Sequence, residues 1–176
     1  MPFACLFAPA FPVAAVVRAE PDLRGLAVAV VEGAPPQLIV AAANAKARAA
    51  GVEAGMTELE ALGHLPSLIV RRRSPKLEAA AQAALLWLAQ SVSPRIEATA
   101  ADTVVLDLSG LDRLLGPPAR LARELAQRVA TLDLEANIGV AANPDAALHA
   151  ARGFAGITVI PARSTIFVLA LASVRT

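Results

Sequence analysis

Short apolar runs alternate with amphipathic stretches along most of this chain, and that alternation leaves few architectures open beyond a mixed sheet with helices laid against it. Phe3 to Ala8 is an apolar run stopped by Pro9, and Ala27 to Val31 is another, ended by Glu32-Gly33 and Pro35-Pro36. Leu38 to Ala42 forms a third candidate strand and leads into an alanine-rich helical turn, Asn44 to Ala50, closed by Gly51. Thr57, with Glu60 three positions on, has the pattern of a capping box and starts a helix through Leu62. Ser67 to Val70 reads as a strand followed by Arg71-Arg72-Arg73, and Ser74-Pro75 opens a helix from about Lys76 to Val92 with Leu77, Ala81, Ala84, Leu85 and Leu88 on one face. Ile96 to Ala98 and Thr103 to Leu108 are expected strands, with a turn at Ser109-Gly110. Pro118 begins an amphipathic helix through about Leu132, carrying Leu121, Leu125, Val129 and Leu132 at helical spacing. Ala136 to Ala141 is strand-like, Asn143-Pro144-Asp145 is a capped helix start running to about Gly153, and Ile157 to Ile160 is a last strand. The order predicts an α+β plait, a mixed sheet with helices on one side, interrupted by an inserted lobe over residues 11–74.

The chain has 176 residues, enough for one domain with its own core plus a small lobe. Hydrophobic residues make up 56% and charged ones 18%, which excludes a disordered chain and implies a well-buried interior built largely of alanine. With 16 basic and 15 acidic side chains the net charge is +1, so composition carries no nucleic-acid signature and any such contact must come from local clustering. The single cysteine, Cys5, lies in an apolar run and reads as a small buried hydrophobe; no disulfide can form within the chain, which fits a reducing cytosol. The first 17 residues carry no charged side chain, but the stretch lacks a basic leader and is broken by Pro2, Pro9 and Pro12, which suits neither a signal helix nor a membrane span. The apolar run from Ile166 to Leu171 is too short to cross a bilayer. A cytoplasmic, soluble protein is expected.

Several segments, taken in order, carry a more specific signal. They are Pro21-Asp22-Leu23-Arg24-Gly25 before a valine-rich strand, Ala47-Arg48-Ala49-Ala50-Gly51-Val52 followed by Gly55-Met56, Ser93-Pro94-Arg95-Ile96-Glu97, Val105-Leu106-Asp107-Leu108-Ser109-Gly110, and Ile138-Gly139-Val140-Ala141 with Asn143. At this spacing, over residues 1 to about 160, the chain resembles the front half of a Y-family (DinB/UmuC-like) DNA polymerase. The resemblance implies a ferredoxin-like palm at residues 1–10 and 75–162, a fingers lobe at 11–74, and at 163–176 the start of a truncated C-terminal region, with the family's thumb and little-finger domains still to come.

In that family two metal ions drive phosphoryl transfer, held by carboxylates at the end of the first strand and by an acidic pair ahead of a central strand. Here the position matching the first acid is Phe7, with Pro9 near its companion, and the acidic pair is reduced to Asp102 because Thr103 stands where a glutamate would follow. One carboxylate cannot hold two magnesium ions, which demand several oxygen ligands in near-octahedral array. By the same resemblance Arg48 matches an arginine that contacts the triphosphate, the family's tyrosine three residues earlier falls on Ala45, a lysine near the start of a late helix falls on Leu148, and Pro144 replaces another basic position. Acids, a hydroxyl and a cation are lost together, as in the non-catalytic ImuB-like branch.

Each of these residues also has a plainer role. Asp102 is either a surviving metal ligand or a surface aspartate before a strand, and Asp107 reads as a turn residue bonding backbone near Ser109-Gly110. Arg48 either binds phosphate or is an ordinary exposed helix arginine, and Arg71, Arg72 and Arg73 with Lys76 either track a nucleic-acid backbone or form a solvated basic turn. His64 and His149 have no companion ligands in sequence, Asp145 is a helix-start acid, and Trp87 is expected to pack its ring against the sheet.

Two functions remain open: a non-catalytic scaffold in DNA damage tolerance and SOS mutagenesis, or an active translesion polymerase with a degenerate metal site. The scaffold reading needs no cofactor; the active one requires Mg2+. The resemblance implies as partners DNA, gripped weakly by these residues, together with an error-prone replicative-type polymerase subunit, a companion mutagenesis protein and a sliding clamp.

Overall fold

The computed structural model describes residues 3–111 and 116–161, so the apolar run at 166–171 and the region expected to start at 163 lie outside the described residues. Backbone contacts divide the chain into two compact units, one made of the residues up to Pro9 and from Gln82 onward, the other of Ala10–Ala81.

The first unit is built on strands β1 (Phe3–Phe7), β5 (Ile96–Ala100), β6 (Thr103–Asp107), β7 (Asn137–Ala141) and β8 (Ile157–Val159), in the order β5-β6-β1-β7-β8. The three pairings from β5 to β7 are antiparallel and β7 with β8 is parallel, which makes the sheet mixed as expected. Strand β1 is central, and its side chains alternate. Cys5 points to the face where Val105, Ala141 and four alanines of a late helix form one apolar cluster, with Phe3, Phe7 and Leu148 packed against it. Ala4, Leu6, Val104 and Leu106, on the other face, are fully buried too. The one-sided cover of a plait accounts for one face, and the late helix adds cover on the second.

That helix spans Pro144–Gly153 and is called α6, the others being α1 (Phe11–Ala19), α2 (Ala45–Ala49), α3 (Glu58–His64), α4 (Pro75–Val92) and α5 (Pro118–Ala130). Asn143 caps α6, its side-chain oxygen accepting from the Ala146 N–H at 2.8 Å, with Pro144 in the first turn. Small residues set how close α6 lies to the sheet. A Cβ on Gly139 would stand 2.1 Å from the Ala147 carbonyl oxygen and 2.7 Å from the Ala151 nitrogen, so only glycine fits that strand position.

The second unit holds a three-stranded sheet, β3-β2-β4, made of β2 (Val28–Ala34), β3 (Gln37–Ala43) and β4 (Ile69–Arg72). Strand β2 runs past Glu32-Gly33 because its antiparallel pairing with β3 continues to Ala34, leaving only Pro35-Pro36 as the turn. Asn44 joins this sheet to α2: its Oδ1 accepts from the N–H groups of Ala47 and Val28, and its Nδ2 donates to the Leu26 carbonyl at 2.7 Å. Thr57 and Glu60 make the capping box of α3 in full.

Trp87 does not pack against the sheet. It is 68% exposed, because the buried stripe of α4 runs through Ala81, Leu85, Leu88 and Ala89 and position 87 falls on the far side of the helix. Among the described residues no helix is long and apolar enough to cross a membrane.

Candidate functional site

At the C-terminal end of β1 the register sets four residues side by side across the sheet. Phe7 faces Thr103 on β6 and Asn137 on β7, and Thr103 faces Ala100 on β5. The row therefore offers a methyl, a hydroxyl, a ring and an amide, and no carboxylate. Asn137 is already engaged, its Oδ1 accepting from the Gly156 N–H at 2.9 Å.

The nearest acid is Asp102, in the turn before β6. Its backbone carbonyl accepts from the Ala8 N–H at 2.9 Å, which ties the turn to the end of β1. Its side chain accepts a hydrogen bond from the Thr103 hydroxyl, Oγ1 to Oδ1 being 2.6 Å. Thr103 is fully buried, and its oxygen in turn accepts from Nη2 of Arg152 at 3.3 Å. The Arg152 guanidinium lies over the Phe7 ring, 5.7 Å from its centre, within the range of a cation–π contact. Sequence reasoning passed over Arg152, since a basic residue in the last turn of a helix is ordinary in its own right; only the close seating of α6 on the sheet brings it here.

Two residues back along β1, on the same face as Phe7, lies Cys5. Burial pushes its thiol up to about 12, with Arg152 pulling the value down and Asp102 pushing it up, so both charges are felt at this point of the sheet. As a donor set for magnesium the cluster is inadequate: the ring contributes nothing, the hydroxyl is used twice, once by a guanidinium, and Asp102 is the one carboxylate in it. Among the described residues no three His, Cys, Asp or Glu side chains come together as metal ligands.

The other residues singled out by sequence fall elsewhere. Leu148 is partly buried against the Cys5 cluster, where it serves packing. Asp107 holds the turn after β6, its Oδ1 accepting from the Ser109 N–H at 2.8 Å, while Arg95 Nε lies 3.1 Å from its other oxygen; these contacts hold its carboxyl below the usual range, the Ser109 hydroxyl being the leading cause. Ser93, fully buried, donates to the Asp107 carbonyl at 2.6 Å and accepts from the Arg95 N–H, so the segments Ser93–Glu97 and Val105–Gly110 brace one another. Arg48, exposed on α2, and the basic cluster belong to the second unit. There Arg71 grips both oxygens of Glu20, Arg73 spans Glu32 and Glu78 at 2.8 Å each, and Arg72 donates to the Gly33 carbonyl, which leaves the exposed Lys76 beside a largely neutralised strip. His64 and His149 are both exposed.

The model of the impB/mucB/samB family matches residues 6–152. The chain belongs to that family. The impB/mucB/samB assignment agrees with relatives called DNA polymerase IV. The protein from Pseudomonas savastanoi pv. phaseolicola is 31% identical over 130 residues, 72% of this chain and 36% of the relative. That from Pseudomonas putida strain GB-1 is 32% identical over 161 residues, covering 88% and 45%. The chain thus spans less than half the length of these relatives and corresponds to the N-terminal portion of a Y-family polymerase. In fold it is similar to DinB from Sulfolobus solfataricus (TM-score 0.82, 24% identity, covering 93% of this chain and 49% of that one) and to Dbh DNA polymerase in an insertion ternary complex (TM-score 0.81, 24% identity, 92% and 49%). The mixed α+β architecture expected from element order is that of the Y-family palm and fingers.

Proposed function

We propose that this protein acts in DNA damage tolerance as a non-catalytic, ImuB-like member of the Y family, a polymerase-shaped scaffold of SOS mutagenesis and translesion synthesis. The observation that carries the reading is the row Ala100–Thr103–Phe7–Asn137, where side chains without charge occupy the end of the central strand and Arg152 lies over them. Nucleotidyl transfer in the family depends on carboxylates converging at that place, and a lone Asp102 bonded to a threonine does not replace them. The fingers lobe corresponds to residues 11–74 and the palm to 1–10 and 75–162. Arg48 remains the residue offered to a triphosphate, and Arg72 and Lys76 are the least committed members of the basic strip toward DNA. A weak, salt-sensitive grip on DNA follows from a net charge of +1 and from the carboxylates that already hold Arg71 and Arg73. An error-prone replicative-type polymerase subunit, a companion mutagenesis protein and a sliding clamp are the partners this role requires, in the cytoplasm.

Primer extension with Mg2+ or Mn2+ tests the proposal. The expected outcome is no templated incorporation above that of Asp102→Ala; incorporation that Asp102→Ala abolishes would establish the active polymerase instead.

A further inference from the structure

We propose that Arg152 is a tethered cation standing in the place of the family's metal ions, so that this site stays closed to divalent cations even when carboxylates are restored to it. The inference rests on the reading that Phe7 and Thr103 occupy the acid positions, and goes beyond it by assigning a positive role to a residue outside those positions.

The geometry points to the end of the strand pair. The guanidinium touches both residues that stand where acids would converge, lying 5.7 Å from the centre of the Phe7 ring and bonding Thr103 Oγ1 at 3.3 Å. The same hydroxyl donates to Asp102, so a continuous chain of contacts runs from the guanidinium through the hydroxyl to the carboxylate. Arg152 cannot be moved far by shifting its helix. Gly139 seats α6 against β7 at a distance where even one added methyl collides with backbone, and Ala146, Ala147, Ala150 and Ala151 are buried in the contact. The opposing effects of Arg152 and Asp102 on the Cys5 thiol agree with this placement.

The chemistry follows from charge and ligand shape. A divalent ion entering beside the guanidinium meets like charge at close range; Arg152 is itself exposed, but its contacts with Phe7 and the buried Thr103 hold the charge at this end of the sheet. A carboxylate introduced at position 7 or 103 would find the planar fork of Arg152 already within reach, and a bidentate pair with it satisfies both oxygens without stripping water from a reluctant metal. Where the family would place ligands, this chain sets a guanidinium on the Thr103 hydroxyl that itself donates to Asp102, so the cluster carries a cation of its own.

The test uses the whole chain with acids put back. Mn2+ binding, read from the paramagnetic resonance signal of free Mn2+, is compared for Phe7→Asp/Thr103→Glu, for the same pair with Arg152→Gln, and for the same pair with Arg152→Lys. A cooperative urea transition confirms that each is folded. The expected result is that the Gln combination binds Mn2+ about tenfold tighter or more than the double variant, while the Lys combination stays within about threefold of it, because charge rather than packing is responsible. Equal affinity of the double variant and the Gln combination, whether both strong or both absent, overturns the proposal. Should the double variant fail to fold, Phe7→Asp with and without Arg152→Gln, using Asp102 as the second acid, is expected to give the same ordering, and no difference there is equally decisive. Templated synthesis by the unmodified chain would defeat the scaffold reading without touching this ratio, and a ratio of one leaves the scaffold reading standing.

Discussion

Phe7, Thr103 and Arg152 are in contact although they lie on two strands and a helix, and Cys5 lies next along β1 on the same face as Phe7. Cys5 is fully buried, and burial raises its value from 9.0 to about 12. The native thiol therefore stays protonated at pH 8, and reaction with a disulfide reagent is expected to proceed only through opening of the structure. Sign matters for stability. Unfolding lets the thiol ionise near pH 9, so the contribution from keeping it neutral is complete below pH 9 and is lost as pH rises toward 12. Stability measured by urea titration is expected to fall across that alkaline window, and Cys5→Ala to remove this part of the fall; an unchanged alkaline slope in Cys5→Ala would contradict the assignment. At this scale sequence shows which side chains stand at positions 7 and 103, neither of them an acid, because residue identity is visible in one dimension. It was silent on Arg152, whose partner residues are 145 and 49 positions away and are brought to it only by sheet register.

Among the elements, those with local signals were legible and those set by tertiary fit were not. The capping box at Thr57–Glu60 and the Asn143-Pro144 start formed as their side-chain chemistry dictates. Helix α1 was not foreseen, since Pro12 looked like a break; it sits instead in the first turn, where a missing N–H costs nothing. Trp87 misled for the opposite reason. A large ring invites burial, but its position relative to Leu85 and Leu88 places it on the solvent side of α4. The most demanding fit is that of α6 on β7. Gly139→Ala forces a Cβ to within 2.1 Å of the Ala147 carbonyl oxygen, and should destabilise the protein by about 3 kcal/mol or more, read as a shift of the urea midpoint. A shift under about 1 kcal/mol would show that α6 can back away, and would weaken the claim that Arg152 is held in place.

For the whole molecule, alternation of strands and helices was enough to foresee a mixed sheet with an inserted lobe, and the motif order was enough to foresee the family. What the motifs do became clear only in three dimensions. Ser93, Arg95 and Asp107, which carry much of the resemblance, brace β5 against β6, and none of them faces chemistry. The shared architecture thus rests on contacts away from the end of β1, and a fold does not by itself fix the chemistry at that end. The proposed scaffold role requires that the end of β1 hold no metal. Mn2+ titration of the unmodified chain beside Asp102→Ala, followed by paramagnetic resonance, tests it directly. The expected result is no Mn2+ site whose occupancy depends on Asp102; stoichiometric Mn2+ binding that disappears in Asp102→Ala would rule the scaffold role out.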